Sequence, residues 1–311
     1  MVGQQHKSSL PISLAELRRR VIERDSALIS QGLAPPQRPL AVSVAIAREL
    51  GISWTIGALG SDPVTEAVHQ IYRELYRIGD LAMPPVHVGA IMFRDVFFRV
   101  WVPMAYGTVA IEPFDLIDEM SDAQKRWMAS EPAALGRFID QVIDLFDFGY
   151  GLDDFSKLHA GDDEAVSLLR LGRAHLEAAA NACVGSVDPY AVVQNSLIAI
   201  ELLLKGALRA AGCTEKKLKA IGHDLVALSA EFVSRQPAAD GGLMGRACAS
   251  LPRLVTHRYQ RLSLSRVQIG DVVMKAQYLG GEIMRQLSDR SLRQAIGVGD
   301  IPPPVPRSFP A

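Results

Sequence analysis

No long hydrophobic run interrupts this chain. The start, Met1-Val2-Gly3-Gln4-Gln5-His6-Lys7, is polar, Pro11 follows soon, and no apolar core of a secretory signal comes after it. Apolar stretches such as Leu40 to Ala47 and Leu202 to Leu204 fall well short of the ~20 residues that cross a bilayer. Cysteine is scarce. Cys183, Cys213 and Cys248 are scattered and form no Cys-x-x-Cys pair, so they read as reduced, buried thiols. Net charge is nearly absent too: 33 basic against 34 acidic residues leave −1, which excludes a uniformly basic nucleic-acid coat and an acidic tail protein. These absences predict a cytoplasmic protein with no membrane partner.

What is present is a foldable globular composition. The 311 residues are 49% apolar and 22% charged, enough for two domains or one large one. The charge is uneven along the chain. Residues 101–200 hold 6 basic and 16 acidic side chains, and residues 201–311 hold 16 basic and 9 acidic. An acidic middle and a basic end either pair with each other, within one chain or across a dimer, or leave the end free for an anionic partner.

Residues 12–32 predict an amphipathic helix. Ser13 and Glu16 have capping-box spacing, Leu14, Leu17, Val21, Leu28 and Ile29 give the apolar stripe, and Pro35-Pro36 ends it. The Arg18-Arg19-Arg20 triplet reads as a solvated face. Leu40 to Leu50 is a short apolar segment. The following Gly51, Gly57 and Gly60 lack both the lysine and the spacing of a phosphate loop. Asp62-Pro63 opens a helix with Val64, Val68, Ile71, Leu75 and Ile78 on its apolar face.

Between Val86 and Ile111 the pattern turns strand-like. Val96, Phe98, Val100 and Val102 alternate with Phe97, Arg99 and Trp101, giving two largely apolar faces. With Tyr106-Gly107 as a turn into Thr108–Ile111, a small antiparallel sheet or hairpin is expected, and Pro103 should break its ladder. Ser121 and Gln124 form a second capping box. Ser130-Glu131-Pro132 opens a helix with Leu135, Phe138, Ile139, Val142, Ile143 and Phe146 toward a core. Asp140, Asp144 and Asp147 share one side of that helix. With no histidine spaced to join them, they read as a solvated acidic face and not as a metal site. Gly149 to Gly161 looks like a linker.

From Asp162 the pattern is helical throughout. Leu168, Gly172, Leu176, Ala179 and Cys183 mark one face, Gly185 stops that helix, and Asp188-Pro189 caps the next. The stretch Leu197–Leu204 is apolar almost all round except Glu201, as in the central helix of a bundle. Glu201 and Lys205 can pair at i, i+4. Thr214 opens a basic turn. Gly222-His223-Asp224 re-caps a helix carrying Leu225, Leu228 and Phe232. Pro252 divides a helical stretch from Leu243 to Tyr259. Ser265 to Leu287 is the last helix, before an extended, mobile Pro-rich tail.

Ser196-Leu197-Ile198-Ala199-Ile200-Glu201-Leu202-Leu203-Leu204-Lys205-Gly206, then Gly222-His223-Asp224-Leu225, then Arg258-Tyr259, resembles the HEPN superfamily over about residues 162–292. The resemblance implies an up-and-down bundle of four or five helices that commonly dimerises. Many such proteins are metal-independent ribonucleases with an arginine, four to six intervening residues and then a histidine, acting at a dimer groove. The imidazole takes a proton and the guanidinium holds the phosphate. Arg170 and His175 have that spacing, but five helical residues turn about 140°, so the side chains diverge. They sit in the first helix of the bundle, and an apolar Leu171 follows the arginine. Arg253 and His257 are one residue too close for the motif, yet with Arg258 and Arg261 they make the better cationic patch.

The expected fold is thus mainly α. An α+β part covers 1–150 with a small antiparallel sheet or hairpin, a linker covers 151–161, a HEPN-like bundle 162–292 and a Pro-rich tail 293–311. The expected function is a non-catalytic binding or dimerisation module. It would present Arg253, Arg258, Arg261 and Arg266 to an anionic ligand such as RNA or a nucleotide, with Glu201, Lys205, His223 and Asp224 as structural residues. A homodimer is expected, with no cofactor and no metal, and a partner protein is compatible with it. One alternative is a divergent, metal-independent endoribonuclease of toxin–antitoxin or phage-defence type, with His257, Arg253 and Arg258 as its candidates. The other is a purely structural interaction protein.

Overall fold

A computed structural model describes residues 10–52, 63–105, 107, 109–159, 163–185, 188–252, 263–296, 307 and 309. The chain is mainly helical with one small antiparallel sheet, and it divides into two compact units, 1–84 and 85–311. The division falls at Pro84-Pro85, and not near residue 150 as the sequence suggested. The physical reason is that the hairpin and the long helix after it share one core with the C-terminal helices.

The first unit holds α1 (Leu14–Ser30), α2 (Arg38–Glu49), α3 (Pro63–Leu75) and the single turn α4 (Ile78–Leu81). Leu17, Val21, Val42, Ile46, Val68 and Tyr72 form its core. Ser13 caps α1 by accepting from the Glu16 amide, but the Glu16 carboxylate turns to Arg19 and Arg20 instead of back to the cap. The arginine triplet is fully paired, since Arg18 meets Glu74 and Arg20 also reaches Glu49. Buried Asp25 accepts from the Tyr72 and Tyr76 hydroxyls at 2.9 and 2.5 Å, and Arg38 donates to Tyr76 at 3.0 Å. That network gives Asp25, Tyr72, Tyr76 and Arg38 partners in the buried space between the helices.

The second unit opens with the hairpin β1 (His87–Phe93) and β2 (Val96–Val102), paired antiparallel with Phe93 opposite Val96. Its turn is therefore Arg94-Asp95 and not Tyr106-Gly107; Tyr106 and Thr108 lie outside the described residues. Pro103 does end the ladder. Both faces of the hairpin are covered. Ile91, Phe98, Val100 and Val102 pack in one cluster, Ala90 and Phe97 in another.

Then come α5 (Asp122–Ser130), with the full Ser121/Gln124 capping box, and α6 (Pro132–Leu158). Residues 151–158 continue α6, so they are not a linker. Gly149 and Gly151 do not break the helix, because neighbouring side chains close over them: a Cβ on Gly149 would come within 2.9 Å of His87 Cβ.

The bundle follows: α7 (Asp163–Val184), α8 (Pro189–Ala210), α9 (Glu215–Ile221), α10 (Leu225–Arg235), α11 (Gly241–Ser250), α12 (Arg266–Leu287) and the short α13 (Leu292–Ile296). Helix α8 is its centre. Leu197, Ala199, Ile200, Leu203, Leu204 and Ala207 are all fully buried in the main core. Among the described residues α8 is the one helix long and apolar enough to cross a membrane, and 61% of its apolar window is buried inside the protein. Two glycines set its distance from α7. A Cβ on Gly172 would lie 2.7 Å from Leu203 Cγ, and one on Gly206 would lie 2.8 Å from Leu169 Cγ. Each glycine receives the other helix's leucine.

Helix α12 closes the outer edge of β1. The Gln277 amide accepts from Ala90 N–H at 2.8 Å and donates to Ala90 C=O at 2.9 Å, so one side chain stands in for a neighbouring strand. Gln277 also donates to Gln141 Oε1 at 2.7 Å, which ties α6 into the same seam.

Candidate functional site

The charge asymmetry of the sequence is resolved largely inside the molecule. Asp140, Asp144 and Asp147 are not a solvated face: all three are buried along α6. Arg285 Nη1 reaches Asp144 at 3.2 Å and Asp147 at 2.8 Å, and its Nη2 reaches Glu282 at 2.9 Å. Arg293 pairs with Asp140. Arg307 donates to Asp144 Oδ1 at 2.7 Å and stands over the Tyr278 ring at 4.6 Å, while Phe309 meets the same ring edge-on. The tail at Arg307 and Phe309 is thus docked: its arginine gives fully buried Asp144 a second guanidinium beside Arg285. Burial pushes the Asp147 carboxyl above its usual range, with Arg285 opposing. Two more arginines of the basic end, Arg290 and Arg209, pair with Asp154 and Glu164 of the acidic middle. Among the described residues no three metal-ligating side chains cluster as a site; the carboxylates of α6 are taken by arginines.

Three of the described histidines are engaged as well. Fully buried His87 donates from Nδ1 to Glu177 Oε1 at 3.1 Å, and Arg173 supports that carboxylate at 2.9 Å. Burial lowers the His87 pKa below its ordinary 6.5 against the pull of Glu177, so the ring is neutral near pH 7. His175 Nδ1 lies 2.8 Å from Asn195 Oδ1, while Arg170, five residues earlier, is exposed; the two do not converge. His223 Nδ1 sits 2.8 Å from Glu201 Oε1, and Lys205 pairs with the same oxygen at 2.6 Å. Asp224 caps α10 through the Val226 and Ala227 amides. Glu201, Lys205, His223 and Asp224 therefore form one joint between the central helix and the turn that leads into α10. Arg253, His257, Arg258 and Arg261 lie outside the described residues, as does the latter half of the helical stretch expected up to Tyr259.

Two hollows stand out among the described residues of the second unit. The larger, about 670 Å³, runs along α6 and α13 and is lined chiefly by Val109, Ile111, Ile139, Ile143, Phe146 and Leu292. The smaller, about 210 Å³, lies at the hairpin tip and is lined by Met92, Phe93, Arg94, Glu131, Ala134, Arg137 and Val267. Arginines gather here. Arg94 stacks over exposed Trp127 at 3.8 Å and reaches Glu131 at 3.2 Å. Arg137, half-buried, has no hydrogen-bond or ion-pair partner among the described residues. Arg266, beside Val267, donates to Asp95 C=O at 2.6 Å and leans on Phe97. Of the arginines the sequence singled out as ligand-binding, only Arg266 can be placed, and it is partly committed to the turn.

Arg94 itself is held at φ 57°, in the left-handed region that glycine or asparagine enters at lower cost. A non-glycine residue in such a conformation costs about 1–3 kcal/mol, and the two-residue hairpin turn imposes it here. Nothing in the sequence pattern singled out Arg94 or Arg137. The available signal was the two-residue gap between two strand-like runs, 87–93 and 96–102. The chain matches no protein-family model, no curated protein and no solved structure.

Proposed function

We propose that the chain is a non-catalytic binding protein whose C-terminal unit is a HEPN-like bundle, a cytoplasmic homodimer that holds an anionic ligand, RNA or a nucleotide. The observation that carries this reading is the face at the hairpin tip. Arg94 and Arg137 line one hollow there, Arg94 stacks on exposed Trp127 and Arg266 holds the turn at Asp95, while other arginines of the basic end are consumed by buried or neighbouring carboxylates. Guanidinium groups with an exposed indole suit single-stranded nucleic acid, where phosphates meet the charges and a base stacks on the ring. The kinship rests on central α8 bearing Ser196–Gly206 and on Gly222-His223-Asp224, whose histidine meets Glu201.

The test uses the full chain and a fluorescein-labelled single-stranded RNA of fixed length. Binding is read at 50 and 250 mM salt, with the RNA then run on a denaturing gel. The expected result is intact RNA, bound at low salt and released at high salt, with the Arg94→Ala/Arg137→Ala variant binding at least tenfold more weakly. RNA cut by the wild type and spared by His257→Ala would replace this reading with the ribonuclease. Indifference to RNA at low salt would leave the structural protein whose acidic and basic parts pair.

A further inference from the structure

We infer that the hollow at the hairpin tip is a seat for a terminal phosphate monoester, such as the 5′ end of an RNA or a mononucleotide. The inference deepens the anion-binding reading and rests on it for the wider face, but the seat itself is argued from its own walls.

Size comes first. At about 210 Å³ the hollow is smaller than the ~300–1,000 Å³ typical of pockets that engulf a whole ligand. It takes a head group and leaves the rest of the ligand outside, where Trp127 offers 46% of its surface next to Arg94. Met92, Phe93, Ala134 and Val267 supply its apolar walls.

Charge decides between phosphate types. Two guanidinium groups and one carboxylate line the hollow. Glu131 is already answered by Arg94 at 3.2 Å, so Arg137 carries the uncompensated charge. A phosphodiester brings a single negative charge and is tethered on both sides. A phosphate monoester brings about −1.5 to −2 at pH 7 and three free oxygens. It can answer Arg137 in the two-pronged way that planar guanidinium favours and still share Arg94 with Glu131. A terminal group also enters a hollow of this size more readily than the middle of a strand.

The turn supports the same assignment. Arg94 is fixed from several sides: by its left-handed backbone, by the indole 3.8 Å below its guanidinium and by Glu131. Phe93 braces the indole edge-on at 5.5 Å between centroids. A guanidinium ordered before the ligand arrives loses less freedom on binding.

The experiment compares pairs that differ only in the end group. AMP is measured against adenosine by calorimetry on the full chain, and a 5′-phosphorylated RNA hexamer against its 5′-hydroxyl twin by anisotropy. The expected result is at least tenfold tighter binding for the phosphorylated member of each pair. Arg137→Ala should abolish that preference and Arg137→Lys should keep part of it, with each variant's circular dichroism and melting checked against wild type. If AMP alone shows the preference, the seat serves free nucleotides; if both pairs show it, nucleic-acid ends. Hexamers bound equally in a salt-dependent way, with AMP no better than adenosine, would overturn the seat and spare the wider anion-binding face. A preference for AMP with neither hexamer bound would do the reverse. A preference that survives in Arg137→Ala also overturns the assignment.

Discussion

Replacing Arg285 by methionine is the sharpest probe of the second unit. Its guanidinium is 5% exposed and faces three carboxylates, Asp144, Asp147 and Glu282, at 3.2, 2.8 and 2.9 Å. Methionine keeps most of the apolar stem and removes only the charge and its donors. Taking one partner from a buried ion pair costs about 3–5 kcal/mol, because the remaining charge stays desolvated. Asp144 keeps Arg307, and Asp147 keeps the Leu292 amide at 2.6 Å, so the expected loss lies at the lower end, about 3 kcal/mol. Urea unfolding of the full chain, followed by hydrogen exchange of α6 and α12 amides, reads that loss in the unit where it occurs.

The loss should also depend on pH in a known direction. Burial already raises the Asp147 carboxyl, and without Arg285 nothing of that strength opposes it. The folded variant then binds more protons than the unfolded chain, so its deficit shrinks as pH falls from 8 toward 5. Adding Asp147→Asn should restore part of the stability at pH 8. A deficit under about 0.5 kcal/mol, flat with pH, would refute the claim that these carboxylates depend on Arg285.

Three further outcomes test the packing. Gly206→Ala puts a methyl 2.8 Å from Leu169 Cγ and 3.1 Å from its amide nitrogen, so thermal melting should show a loss of about 1–3 kcal/mol despite alanine's better helix propensity. Gln277→Leu leaves both polar groups of buried Ala90 unpaired, at about 1–3 kcal/mol each, and the Ala90 amide should exchange with solvent at least tenfold faster. The neutral His87 sets an acid limit. Its folded pKa is below 6.5, so the unfolded chain binds the extra proton first, and stability falls as pH drops below about 6.5 by at most ~1.4 kcal/mol per unit. Burial pushes Glu177 up, but His87 and Arg173 outweigh it and hold that carboxyl low, which adds a second loss at more acid pH. His87→Gln should remove the first slope; an unchanged slope would assign it elsewhere.

Local chemistry was legible in the sequence. Ser121 with Gln124, Asp188 before Pro189, and Asp224 after Gly222 mark helix starts by bonds that close within three residues. The alternation from Val96 to Val102 marks a strand for the same reason, and the apolar run around Leu197–Leu204 suits the centre of a bundle, where the fold buries it. What the sequence could not supply is who answers a charge. Asp140, Asp144 and Asp147 have the spacing of a wet helix face, and their partners arrive from 138 to 163 positions away. Burial of those acids, docking of the tail at Arg307, and the meeting of Arg94 with Arg137 and Trp127 are decided by three-dimensional packing alone. A side chain's solvation depends on neighbours in space, whereas caps and periodicity depend on neighbours along the chain.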